Sequence, residues 1–269
     1  MIEKHANTVP LWSFQNLLPF KEISHFISTR NGGFSKPPYD SLNLGFHVGD
    51  NPETVLKNRQ HLASALGIPL DNFTTARQVH GGNVVTVTKP GGAFHHGTAI
   101  AETDAMVTNV PNICLMVLQA DCVPMLFFDA EKKVIGATHA GWKGTLSKIA
   151  QNTVRVLQER FNCLPKDIYV GIGPSIGPCC YEVGAEIISK VKNSSDVYKG
   201  YISAMISENK GYFNLWEANK RQLIQMGVPE KNVEVAQICT RCNHDQFFSY
   251  RHQQKETGRF GSGIMFNGL

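Results

Sequence analysis

Cys122 and His139 stand at the ends of two short apolar runs, Met125 to Phe128 and Val134 to Thr138, separated by the polar stretch Asp129-Ala-Glu-Lys-Lys133. Uncharged runs of that length around a polar turn predict a buried hairpin, which would bring the cysteine and the histidine to one edge. A third side chain of similar chemistry, His80, lies in His80-Gly-Gly-Asn83, a glycine turn whose backbone can approach a ligand closely. Two histidines and a cysteine match the composition of a catalytic zinc site with three protein ligands and one open position. The same residues leave two other chemistries open. Cys122 with His139 also makes a nucleophile and base, a thiolate stabilised by imidazolium. A His2Cys set can hold copper, for which Met125 is the only nearby axial candidate, and the chain has no His-x-His motif.

Several elements must position these residues. Ile23 to Thr29 reads as a first strand ending in the glycine turn Arg30-Asn-Gly-Gly-Phe-Ser35, and Pro37 to Gly45 as an ordered loop. Asn51 before Pro52 is a helix cap followed by a first-turn proline, and Gly67 ends that helix, which contains Arg59. Phe73 to Val79 and Val84 to Val87 are expected to pair as a hairpin around His80. Residues 89 to 104 read as an irregular loop, then Met106-Val107 and Ile113 to Leu118 as core strands. Leu146, Ile149, Ala150, Val154, Leu157 and Phe161 recur at helical spacing, so residues 145 to 161 are expected to form one amphipathic helix. Its first N–H groups would favour an anion beside His139. Ile168 to Ile172 is a further strand, followed by a glycine- and proline-rich loop and a helix from about Gly184 to Lys192. Asn214 caps a helix that Gly227 closes, and Val233 to Ile238 is expected to be the last strand.

Asp121 and Glu182 are candidate acids or partners that would orient a metal-bound histidine. Arg30 and Lys143 sit on glycine turns where a phosphate could be reached. Cys239-x-x-Cys242 looks like half of a structural zinc site, which Cys179-Cys180 completes only if folding brings the pairs together. With 269 residues, 42% of them hydrophobic, the chain can bury a substantial core. Its net charge of +4, with 18% charged residues, is too mild and scattered for a nucleic-acid stripe but tolerates a phosphate-bearing ligand. No run approaches a membrane span, and the first residues lack an apolar leader core, so the expected setting is cytoplasmic. Seven cysteines, an odd count, then argue for reduced thiols or metal ligands over a disulfide framework.

Ser28-Thr-Arg-Asn-Gly-Gly33, Ser41-Leu-Asn-Leu-Gly45, Gln78-Val-His80, Thr103-Asp104, Ala120-Asp-Cys-Val-Pro124, His139-Ala-Gly-Trp-Lys-Gly144, Gly173-Pro-Ser-Ile-Gly177, Cys180-Tyr-Glu-Val183 and Phe248-Ser-Tyr-Arg251 follow one another in order. This set resembles the motifs of the laccase-domain (polyphenol oxidase, YfiH-like) family, whose bacterial members are read as multi-activity purine nucleoside enzymes. The resemblance runs from about Ile23 to Phe266. It implies an α/β fold with mixed sheets sandwiched between helices, layered α/β/β/α, as one domain over residues 1–269 and as a monomer or homodimer. It implies zinc held by His80, Cys122 and His139, which are also the catalytic set, and a phosphate site to which Arg30, Asn43 and Arg59 contribute. The implied reactions are phosphorolysis of adenosine, inosine, guanosine and methylthioadenosine with inorganic phosphate, and deamination of adenosine. The implied partners are purine nucleosides and phosphate, with no nucleic acid and no membrane. The implied fold is shared with a toxin deamidase that uses a Cys-His pair, which keeps open a cysteine hydrolase, for instance an amidase acting on a peptidoglycan precursor. Copper oxidation of polyphenols and a silent metal-binding module are the remaining readings. Residues between Pro90 and Glu102 match no motif of the family.

Overall fold

Two strands carry the middle of the molecule. Val123–Asp129 and Val134–Ala140 pair antiparallel, with Val123 opposite Ala140 and Pro124 opposite His139, and every residue in both is buried. Asp129 shapes the intervening turn by accepting the N–H groups of Glu131 and Lys132 at 2.9 and 2.8 Å. The period of two sorts the side chains. Met125 and Phe127 join Ile149, Val154 and Leu157 on a helix-covered face, while Leu126 and Phe128 join Leu115, Val117 and Ile264 on the other. Strands covered on both sides have no polar face, which is why both read as continuous apolar runs. The computed structural model describes residues 1–6, 9–91, 99–194, 198–254 and 256–268.

These two strands belong to a six-stranded sheet in the order Val233–Val235, Ile168–Ile172, Val123–Asp129, Val134–Ala140, Ala105–Thr108, Val84–Thr86. A second six-stranded sheet runs Ile2–Ala6, Val9–Ser13, Ile23–Ser28, Phe260–Phe266, Cys114–Gln119, Phe73–Thr74. Both mix antiparallel pairs with parallel ones at their edges. Phe14, Leu17, Ile27, Phe260 and Phe266 fill the space between the sheets. The helix Pro52–Leu66 packs Leu62 and Ala63 against Cys114, Met116 and Leu118 on the outside of the second sheet. Ile149–Phe161 and Leu215–Gln225 cover the outside of the first. The order of layers is therefore helix, sheet, sheet, helix, a mixed α/β architecture. No helix among the described residues is long and apolar enough to cross a membrane.

Local signals worked where the cause is local. Asn51 Oδ1 accepts the N–H groups of Glu53 and Thr54, and Gly67 closes the helix at φ 66°. Asn214 Oδ1 accepts from the Glu217 N–H at 3.1 Å. Four expectations require correction. The segments flanking His80 form no hairpin, because Phe73–Thr74 joins one sheet and Val84–Thr86 the other. The residues between them cross from sheet to sheet, pinned by Gln78, whose amide donates to the Leu118 carbonyl at 2.7 Å and accepts from its N–H at 2.8 Å. The helix expected over 145 to 161 is broken: Trp142–Leu146 stops at Ser147 and Ile149–Phe161 begins after Lys148, which is left-handed at φ 60°. The break is where the His80 turn docks, with Asn152 Nδ2 donating to the carbonyls of both Gly82 and Ser147. The strand from Val233 ends at Val235, and it is not the last. Phe260–Phe266 follows at the centre of its sheet, with Gly263 making room for the Phe26 ring, which an added Cβ would meet at 2.5 Å. The hairpin Ile2–Ala6 with Val9–Ser13 and a three-stranded sheet of Glu182–Gly184, Lys210–Phe213 and Ile202–Ser207 also lie outside the sequence reading. Of the loop expected at 89 to 104, residues 92–98 lie outside the described residues.

Candidate metal centre and cavity

Cys122 lies where the chain passes from Cys114–Gln119 in one sheet to Val123–Asp129 in the other. The passage needs a sharp turn, and Asp121 supplies it at φ 91°, a conformation costly for a residue with a Cβ. It is held there from all sides. Thr240 Oγ1 donates to Asp121 Oδ1 at 2.7 Å, the Arg251 N–H donates to Oδ2 at 2.6 Å, and the Asp121 carbonyl accepts from the Ile176 N–H at 2.8 Å. His139 is opposite Pro124 in the central hairpin, so its side chain reaches the same edge as Cys122. His80 arrives from the other passage between the sheets, also left-handed at φ 61°. The ligand atoms of His80, Cys122 and His139 all lie within 4.8 Å of one another.

Asp104 organises this edge. Its Oδ1 lies 2.9 Å from His139 Nδ1 and accepts the His80 N–H at 2.9 Å, while Oδ2 accepts the N–H groups of Val79 and Gly81 at 3.2 and 2.7 Å. A carboxylate fixed in this way holds a proton on His139 Nδ1 and turns Nε2 toward Cys122 and His80, the nitrogen that would ligate a metal once its own proton is lost. Asp104 is almost fully buried; burial pushes its pKa up, but His139 and the turn N–H groups outweigh it and hold the group below the ordinary carboxylate range. Burial likewise opposes ionisation of Cys122, yet the charge and hydrogen bonds of His139 and His80 draw its thiol down to about 6. His139 is pushed up to about 9, against burial, by Cys122 and Asp104. Gly141 is required by proximity, since a Cβ there would lie 2.9 Å from the His80 ring and 3.0 Å from Cys122 Sγ.

The three side chains line a cavity of about 990 Å³. Phe46, Trp142, Tyr181 and Tyr250 give it aromatic surface, and Arg59, Arg251 and Arg259 give it positive charge. His47, also on the wall, is lowered to about 4 by burial and then by Arg259 and Arg59, so it is neutral at pH 7 beside two cations.

Comparison with known proteins places the chain in a family. Residues 24–267 match the family model described as multi-copper polyphenol oxidoreductase laccase. The chain belongs to this laccase-like YfiH family. Among its relatives is the purine nucleoside phosphorylase YlmD of Geobacillus stearothermophilus, 38% identical over 244 residues that cover 90% of this chain and 89% of that protein. Another is the adenosine deaminase RL5 of an unknown prokaryotic organism, 32% identical over 245 residues covering 90% and 93%. The crystal structure of YlmD from Geobacillus stearothermophilus superimposes with a TM-score of 0.92 at 35% identity, covering 98% of each chain.

On this laccase-like scaffold the remaining candidates separate. Arg59 reaches the cavity wall, where its guanidinium lies over Phe46 and its Nε donates to the Leu44 carbonyl. Arg30 and Asn43 do not line the cavity. Arg30 donates from Nε to the Asp40 carbonyl and from Nη1 to the His244 carbonyl, each at 2.8 Å, and lies over Phe248, so its charge ties loops together. Asn43, fully buried, stands one step behind the wall: its Oδ1 accepts the Arg259 N–H at 2.9 Å. Asp121 and Glu182 are not partners of the histidines, since Asp121 is committed to Thr240 and Arg251, and Glu182 faces Lys210 at 3.1 Å. Asp104 takes that role. Its signal was in the pairing, because it directly precedes the strand that runs beside His139. Lys143 lines a separate hollow that shares His80 and Trp142. Met125 is buried in the helix-facing core, and among the described residues no methionine lines the cavity beside the three donors.

Proposed function

We propose that this chain is a zinc-dependent purine nucleoside phosphorylase that acts on adenosine, inosine, guanosine and methylthioadenosine and also deaminates adenosine. The observation that carries the reading is the convergence of His80, Cys122 and His139 on the floor of a cavity with aromatic and cationic walls. Two imidazoles and a thiolate suit zinc, and the cavity side leaves room for a fourth position. Zinc bound there supplies Lewis acidity, which lowers the pKa of a bound water and polarises an oxygen. The chain's own residues do the rest. Asp104 keeps His139 in the ligating tautomer and fixes the His80 turn. Phe46, Trp142, Tyr181 and Tyr250 offer faces to a purine. Arg59 and Arg259, beside neutral His47, form the corner that holds phosphate. In phosphorolysis a phosphate oxygen bonds to ribose C1′ as the bond to purine N9 breaks, its electron pair leaving on the base. In deamination water adds at purine C6 and ammonia leaves.

The relatives named for phosphorolysis and for adenosine deamination support the pair of activities. A second reading has an observation of its own: Cys122, His139 and Asp104 form a nucleophile, base and orienting acid, with the thiol already drawn down. That would be a cysteine hydrolase. Zinc-loaded protein given adenosine and phosphate should yield adenine with ribose 1-phosphate and, in parallel, inosine; absence of both refutes the nucleoside reading. His80→Ala should lose zinc and both reactions. Retained activity with a readily alkylated Cys122 would leave the hydrolase. Arg59→Met should raise the phosphate requirement of phosphorolysis while deamination keeps its rate.

A further inference from the structure

Behind one wall of the cavity four thiols converge. Cys179 and Cys180 lie on the turn after Ile168–Ile172, and Cys239 and Cys242 on the segment after Val233–Val235. Those strands are parallel neighbours, Ile172 opposite Val235, so their exits leave the same end of the sheet side by side. A bridge keeps them together beyond the strands: the Ser175 N–H donates to the Ile238 carbonyl at 3.2 Å and the Thr240 N–H to the Ser175 carbonyl at 3.1 Å.

The sulfur atoms of all four cysteines lie within 4.8 Å of one another. Cys242 Sγ is 3.7 Å from Cys179 Sγ and 3.4 Å from Cys180 Sγ. A tetrahedron with metal–sulfur bonds of about 2.3 Å has sulfur–sulfur edges of roughly 3.8 Å, close to these separations. Cys239 Sγ, buried, accepts the Gly177 N–H at 3.3 Å, and a bond of this kind supports thiolate charge. The Cys-x-x-Cys segment is curled by two bonds to the Cys239 carbonyl, from the Asn243 N–H at 3.0 Å and from Asn243 Nδ2 at 2.8 Å. A disulfide would account for two sulfurs at a time. Four sulfurs around one point are what a single ion requires.

We propose that Cys179, Cys180, Cys239 and Cys242 bind a structural zinc ion, separate from the centre formed by His80, Cys122 and His139. With four protein ligands the site is closed and performs no chemistry. Its effect is on the cavity wall. The first cysteine pair lies between Ile176 and Tyr181, and the second pair precedes Tyr250 and Arg251, all four of which line the cavity. Arg251 Nη1 donates to the Cys180 and Glu182 carbonyls at 3.4 and 3.1 Å, so the two segments already touch on the cavity side. The ion joins them on the far side and sets the spacing between Tyr181 and Arg251.

The test counts metal. Protein purified without chelator should carry about two zinc ions per chain, and both Cys122→Ala and the double variant Cys179→Ser/Cys242→Ser should each carry about one. Because the double variant could fail to fold, alkylation of the native protein gives an independent readout. Cys179 and Cys242 are exposed, yet they should resist iodoacetamide until a chelator strips the metal. Zinc content that is the same in the double variant as in the native chain would overturn the proposal. So would rapid alkylation of Cys179 and Cys242 in untreated protein, or a Cys180–Cys242 disulfide in freshly purified protein. Because Cys122→Ala empties the other centre alone, failure here is distinguishable from failure of the nucleoside reading.

Discussion

Replacing Asp104 by Asn tests whether the carboxylate, rather than the three donors alone, builds the proposed metal centre. An amide keeps one oxygen. If it turns to preserve the contact with His139 Nδ1 and the His80 N–H, its NH2 replaces Oδ2 and faces the N–H groups of Val79 and Gly81, donor against donor. Two hydrogen bonds to a charged acceptor are lost, each contributing about 1.5–3 kcal/mol, and relaxation of the turn returns part of that; a net destabilisation of about 2–4 kcal/mol is expected. The His80 turn should absorb most of the change, so zinc affinity should fall roughly 10–100-fold, equivalent to about 1.4–2.8 kcal/mol. Competition against a chromophoric chelator measures that affinity, and urea unfolding of the zinc-free protein measures stability. Affinity within twofold of the native value, in a protein whose stability is unchanged, would refute the role assigned to Asp104.

Two further outcomes follow from the same edge. Gly141→Ala puts a methyl carbon 2.9 Å from the His80 ring and 3.0 Å from Cys122 Sγ, so steady-state kinetics should show kcat for both nucleoside reactions falling at least tenfold, about 1.4 kcal/mol, in a chain that still folds. In metal-stripped protein, Cys122 should be alkylated with a midpoint near pH 6: the lowered pKa leaves the reactive thiolate present above that pH and lost as pH falls through it, and a midpoint at the ordinary thiol value would contradict the charge pairing with His139.

What the sequence made legible depends on how local the cause is. The helix Pro52–Leu66 was readable because Asn51, Pro52 and Gly67 act within a turn of their own positions. The central hairpin was readable because two uncharged runs around a polar turn have few other outcomes, and that pairing is what joins Cys122 to His139. Phe260–Phe266 was not readable. Its glycines look like loop residues until Phe26 and Met116 are seen occupying the space where side chains would be. The role of Asp104 depends on strand register, and that of Arg259 on the buried Asn43 that holds its backbone, neither of which is written in spacing. Arg30 misled for the opposite reason: a guanidinium on a glycine turn fits a phosphate, but here the neighbouring loops supply the carbonyls first.

The seam between the two sheets would give the proposed metal centre a mechanical meaning. His80 and Cys122 each sit where the chain steps across from one sheet to the other, and His139 belongs to a strand of the far one. An ion joining them is therefore a rivet through the laminate rather than a pendant on its surface. Force that slid one sheet over the other would be borne at that point. Tyr250 opens the short helix Tyr250–Gln253, whose Arg251 N–H holds the Asp121 turn beside Cys122, so the aromatic wall and the rivet share a support and a change in one is felt by the other.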